Sequence, residues 1–197
     1  MIQTFALKTL PSLETNDHQV RVIVDGEDWL GPSSLGLDPH EFLRQSTLKT
    51  NGSLIVGRCD CGVLGCCDTT VDVLLSDAFV IWLDATGLNL TFDRKSYEAE
   101  IDRVTEDTGW EDGKRTVERL AGDILAGHEL DGFQFQWASA RIKPQSLTLS
   151  YVMRDQQNLF ELPWDCDSIQ IAMETVRQFR ESRTNNPMNP SGGSGVS

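Results

Sequence analysis

The chain has little of what most catalytic centres are built from. It holds three histidines and two tyrosines in 197 residues. Three scattered imidazoles, His18, His40 and His128, supply a hydrolytic triad or a His-rich metal centre poorly. No Gly-x-Ser-x-Gly elbow leads into a helical pattern, so a hydrolase nucleophile of that kind is excluded. Neither Gly-x-x-x-x-Gly-Lys-Ser/Thr nor Gly-x-Gly-x-x-Gly is present, which removes the two common glycine-rich phosphate cradles. Positive charge is scarce as well: 17 Lys and Arg stand against 30 Asp and Glu, a formal net charge of −13. A general nucleic-acid binder is excluded on that ground, because neutralising phosphates takes clustered cations. No window approaches the roughly 18 apolar residues that a membrane helix needs. The first residues, Met1 to Lys8, lack the basic start and apolar core of a secretory signal. The expectation is a cytoplasmic protein, without nucleic-acid or membrane partners, whose thiols stay reduced.

What is present suffices for a folded domain. Hydrophobic residues make up 39% of the chain, enough to bury a sizeable core. The length fits one domain over residues 1–183, with a subdivision near 108–113 as the alternative. The acidic excess is spread along the chain, which points to a solvated surface or to a basic protein partner. Gln3 to Leu10 and Val20 to Val24 read as strands, the second on its β-branched run. Asp25-Gly26 is a turn signal, and residues 31–39 read as a loop before a short helix capped by Asp38. Thr69 to Leu75 and Phe79 to Leu83 alternate as a hairpin, and Leu90 to Phe92 adds an edge.

Helical spacing follows over Arg94–Thr105 and Lys114–Ala126, then a second meander over Phe133–Trp137, Leu147–Val152 and Asn158–Leu162. Ile169 to Arg180 forms a last helix, and residues 184–197 are a Ser/Gly/Asn/Pro tail expected to be disordered. Strands and helices come in blocks rather than in alternation. The predicted fold class is therefore α+β, mostly antiparallel, with two or three packed helices, a C-terminal helix and the tail.

Four of the five cysteines fall in one run, Cys59-Asp60-Cys61-Gly62-Val63-Leu64-Gly65-Cys66-Cys67. An odd count and the adjacency of Cys66 and Cys67 argue against a disulfide framework. Zn²⁺ is the metal to consider, bound by thiolates at about 2.3 Å, and Gly62 and Gly65 allow the tight bend that several ligands in a short segment require. In an extended strand Cys59 and Cys61 share a face, Cys66 reaches them through the glycine turn, and Cys67 points away. Cys166 is the candidate for a fourth ligand, with His40, His18 and His128 behind it. The competing interpretation is a hairpin whose reduced cysteines pack as small apolar groups. Redox chemistry ranks third, because Arg58 is flanked by Asp60 and Asp68 and the local field is mixed.

The segments Val24-Asp25-Gly26-Glu27-Asp28 and Gly57-Arg58-Cys59-Asp60-Cys61-Gly62-Val63-Leu64-Gly65-Cys66 resemble a group of uncharacterised bacterial proteins. These share an early Val-Asp-Gly strand end and a Cys-x-Cys-Gly-x-x-Gly-Cys turn, a similarity covering about residues 20–105. The resemblance implies a small accessory or immunity-type protein rather than an enzyme, and it carries over no catalytic residues. An aromatic follows the third cysteine in that pattern, where this chain has Cys67.

Other candidates have structural explanations. Asp25, Glu27 and Asp28 are expected in a turn facing water. Trp164 is expected as a core anchor with its indole N–H bonded locally, and His128 at a helix end where the dipole favours an imidazolium. The leading expectation is thus a non-enzymatic acidic protein acting by protein–protein binding, of immunity or inhibitor type, with a basic partner and no cofactor. The second is a structural Zn²⁺ domain built on Cys59, Cys61, Cys66, Cys67 and Cys166. A thiol-dependent redox protein is third.

Overall fold

The computed structural model describes residues 1–12, 17–59, 61 and 65–184. They form an α+β fold with antiparallel sheets, in two compact units: residues 1–110, and residue 111 onward. The expected tail over 184–197 lies outside the described residues, apart from Thr184 itself.

The first unit contains β1 (Phe5–Ser12), β2 (Asp17–Val24), β3 (Glu27–Asp28), β4 (Ser34–Leu35), α1 (Pro39–Leu43), β5 (Gly52–Cys59), β6 (Thr69–Leu75), β7 (Phe79–Asp84), β8 (Asn89–Asp93) and α2 (Arg94–Glu106). One sheet has the order β1-β2-β3 and the other β4-β5-β6-β7-β8. The first strand runs past Leu10 through Pro11, which an edge strand tolerates because its missing N–H is not needed for pairing. Residues 31–39, expected as a loop, contain the short β4. Its Ser34 and Leu35 pair with Cys59 and Arg58, so tertiary contact overrides the turn composition there.

The core of this unit is aromatic at its centre. Trp82 is fully buried, and Phe5, Phe92 and Tyr97 place their rings 5.4, 5.5 and 6.0 Å from it. Burying an indole removes roughly 150–250 Å² from water, worth about 4–6 kcal/mol gross at 25 cal/mol per Å². Helix α2 starts at Asp93, whose carboxylate accepts from the Ser96 N–H, and buries Tyr97, Ile101 and Val104.

The second unit holds α3 (Gly113–Leu125), β9 (Glu129–Leu130), β10 (Phe133–Ser139), β11 (Ser146–Met153), β12 (Gln156–Pro163) and α4 (Ile169–Thr184). The sheet is a meander in the order β12-β11-β10-β9. The α3 helix lies against β10, α4 against β12, and the two helices against each other. Val117, Ala121 and Leu125 of α3 meet Leu147, Leu149 and Tyr151 of β11 in one core with Ala172, Met173 and Val176 of α4. Trp164 anchors the loop before α4: it is buried, and its indole N–H donates to the Ser168 carbonyl at 3.2 Å. Among the described residues, no helix is long and apolar enough to cross a membrane.

Candidate metal centre

Strand β5 delivers Cys59. Leu54 and Val56 of that strand are fully buried, which sets its depth and register in the sheet. Its end is held from both sides, by β4 through Ser34 and Leu35 and by β6 through the pairing of Gly57 with Thr69. The approach of β4 requires a residue without a side chain: a Cβ on Gly57 would lie 2.8 Å from the Leu35 carbonyl oxygen and 2.9 Å from Leu30. The Cys59 N–H donates to the Cys67 carbonyl at 3.2 Å and closes the turn at its base. Gly65 takes a left-handed backbone conformation, φ +75°, and its N–H donates to Asp68 Oδ2 at 3.1 Å. The expectation for Gly62 falls outside the described residues, as does Asp60.

The turn brings three sulfurs together. Those of Cys59, Cys61 and Cys66 all lie within 4.8 Å of one another, and Cys59 Sγ and Cys61 Sγ are 2.8 Å apart. Thiolates about 2.3 Å from a tetrahedral ion stand about 3.8 Å from each other. Cys59 and Cys61 must therefore open by about 1 Å, and a pair at the 4.8 Å limit would close by about 1 Å, to fit that geometry. Adjustments of this size are within reach of side-chain rotation at an exposed turn. Crowding also governs protonation: hydrogen bonding to the Cys61 and then the Cys59 sulfur, followed by their charge, pushes the Cys66 thiol up to about 12. A cation among the three sulfurs favours their thiolate forms and displaces their protons.

Cys67 is exposed and outside the sulfur cluster, and Cys166 is exposed in the loop ahead of α4 in the second unit. The interpretation of these cysteines as buried apolar filler does not hold, since four of the five are exposed and Cys59 is half-buried. None of the five is in a disulfide.

The histidines are engaged elsewhere. His18 and His40 place their rings 5.2 and 5.3 Å from Trp110, on which both pack. His128 is buried rather than exposed at a helix end, and its Nδ1 lies 2.7 Å from the Tyr151 hydroxyl. Burial, and then the Arg180 charge, hold its pKa below the usual 6.5, so the expected imidazolium is instead a neutral ring. Spacing places His128 after a helix, and its contact with Tyr151 of β11 comes only with the tertiary fold.

Supporting polar groups were largely illegible in sequence. Arg58 is buried, and its Nη2 donates to Glu41 Oε1 at 2.7 Å while its Nε lies 4.0 Å from Asp68 Oδ1. Its charge is thus engaged by carboxylates. Arg21, also buried, donates through Nε and Nη2 to Asp28 Oδ2 at 3.0 and 2.6 Å, and to the carbonyls of Gly31 at 2.7 Å and Ser34 at 2.5 Å. That fork pins the 25–35 segment, and with it the strand partner of Cys59. Asp28 is therefore an ion-pair partner rather than a free turn carboxylate, and Asp25 accepts from Thr4 at 2.8 Å. The only hint in sequence was an arginine inside a β-branched run.

A cleft of about 240 Å³ opens beside the turn, lined by Trp29, Leu30, Asp68, Thr69, Asp84 and Thr86 among others. Asp84 Oδ1 accepts from Thr86 N, Thr86 Oγ1 and Leu88 N at 2.9, 2.7 and 2.9 Å, and these bonds hold the carboxyl below its ordinary pKa. Compared with protein-family models, with curated proteins and with solved structures, the chain has no match.

Proposed function

We propose that the turn from Cys59 to Cys67 is a thiolate site for a thiophilic metal ion, Zn²⁺ first, which ties the end of β5 to the start of β6. The observation that carries this is the convergence of the Cys59, Cys61 and Cys66 sulfurs within 4.8 Å on a short turn. Three thiolates leave one position of a tetrahedral ion for water or a further ligand. Cobalt(II) titration of the reduced protein tests it. One equivalent with a sulfur-to-metal charge-transfer band, displaced by Zn²⁺, is expected. Absence of that band, together with no zinc retained on purification without chelator, rejects the site.

A second reading, docking of a basic protein partner, is favoured by the net charge of −13 and by the cleft carrying Asp68 and Asp84. It predicts capture of a basic protein at low salt and its loss at high salt, over the range in which screening shortens from about 30 to 3 Å. Capture that is indifferent to salt counts against it.

A further inference from the structure

We infer that Cys59 and Cys61 form a reversible redox pair, in which a disulfide between them replaces the dithiol and empties the metal site. The link to metal release rests on the metal-site proposal above; the pairing itself does not. Two observations support this pair. Its sulfurs are already 2.8 Å apart, so a bond of about 2.04 Å needs a closure of roughly 0.8 Å. Cys61 is exposed to solvent, while Cys59 is half-buried and held by its strand pairing with Ser34 and by its N–H donating to the Cys67 carbonyl. A disulfide spanning one intervening residue closes a very short loop. It gains little from chain entropy and holds strain, which makes it easily reduced and suited to a switch rather than a staple.

The chemistry balances with a small-molecule disulfide such as oxidised glutathione. The Cys61 thiolate attacks one glutathione sulfur, forms a mixed disulfide and releases one glutathione thiolate. The Cys59 thiolate then attacks the Cys61 sulfur of that mixed disulfide, closing the intramolecular bond and releasing the second. The two protons lost from the protein thiols end on the two glutathiones: the protein pair is oxidised and the oxidant reduced by two electrons. Of the three clustered ligands only Cys66 then remains, and one thiolate does not hold the ion.

The test is a glutathione redox titration of the full metal-free chain. Trypsin leaves Cys59, Cys61, Cys66 and Cys67 in one peptide, because no Lys or Arg occurs between Arg58 and Arg94. Free thiols are therefore blocked with one alkylating reagent, the disulfide is reduced and labelled with a second, and the label is located by fragmentation. The expected result is a fall from five to three free thiols, with the second label on Cys59 and Cys61. Cys67 and Cys166, both exposed, carry the first label. A first-formed disulfide involving Cys66, Cys67 or Cys166, a mixed disulfide that persists on Cys61, or five free thiols at the oxidising end overturns the inference. Cys66→Ser separates the two proposals: it still forms the Cys59–Cys61 bond while losing cobalt binding. If reduced wild-type protein binds no cobalt yet forms this disulfide, the metal site fails and the redox pair stands.

Discussion

Replacing Glu118 by Gln probes a buried ionic network in the second unit. Glu118 is 3% exposed and Arg115 2%. Its Oε1 accepts from the Ala140 N–H at 2.8 Å, Arg141 Nε at 2.9 Å and Ser139 Oγ at 3.0 Å. Its Oε2 accepts from Arg141 Nη2 at 2.9 Å and Arg115 Nη1 at 3.0 Å. Glutamine keeps the first set only by turning its amide NH₂ toward two guanidinium donors. Two charge-assisted bonds are lost, at about 1.5–3 kcal/mol each. The buried Arg115 charge is left facing a donor, and breaking a buried pair in this way costs about 3–5 kcal/mol. A domain stable by about 5–15 kcal/mol loses a large share of its margin.

Urea unfolding followed by amide exchange over residues 111–184 is the assay. With a slope near 2 kcal/mol per molar, the midpoint should fall by about 2 M. Arg115→Met with Glu118→Gln should cost less than the sum of the single changes, by 1 kcal/mol or more as contacting partners do. A loss below about 1 kcal/mol for Glu118→Gln, or strict additivity, refutes the assignment of this network as a buried ionic anchor.

Gly57→Ala should cost about 1–3 kcal/mol through overpacking against Leu35 and Leu30, and should weaken cobalt binding because β4 no longer holds the Cys59 end; unchanged affinity by spectral titration would contradict this route. Cys66→Ser should lower cobalt affinity at least about 100-fold, as loss of a direct ligand exceeds the effect of its supports, whereas Cys166→Ser tests independently whether the remote thiol contributes. Acid should destabilise the second unit through His128. Its folded pKa lies below 6.5, so the unfolded chain binds the proton more readily. Stability is complete above about 6.5 and declines as pH falls from there toward the folded value. The slope of urea stability against pH between 7 and 5 should flatten in His128→Phe, and an unchanged slope would assign the acid loss to other groups.

Much of the fold was readable without coordinates. The hairpin of β6 and β7, the helices over 94–106 and 113–125 and the meander of β10 to β12 all stand near their expected bounds, because period-two and helical apolar spacing is local information. The cap at Asp38 was local as well, whereas Asp112 as the cap of the helix over 113–125 emerged only in the structure. The two-residue β4 was not legible: its Ser34 and Leu35 become a strand only when β5 offers them a ladder.

For the site, residue types and tight spacing alone singled out the cysteine run, since sulfur ligands and turn-forming glycines are properties of the residues themselves. Strand alternation and the glycine turn already suggested that Cys66 meets Cys59 and Cys61 while Cys67 points away, and the folded geometry adds the distance, three sulfurs within 4.8 Å of one another. The sequence by itself determined an acidic α+β protein poor in histidine, with one thiol-rich corner. Tertiary structure decided the state of its polar groups: that Arg58 and Arg21 are buried and held by carboxylates, that Glu118 anchors two guanidiniums, and that His128 is neutral. The physical reason is that burial and pairing set a charge's energy, and both are made by segments distant in the chain.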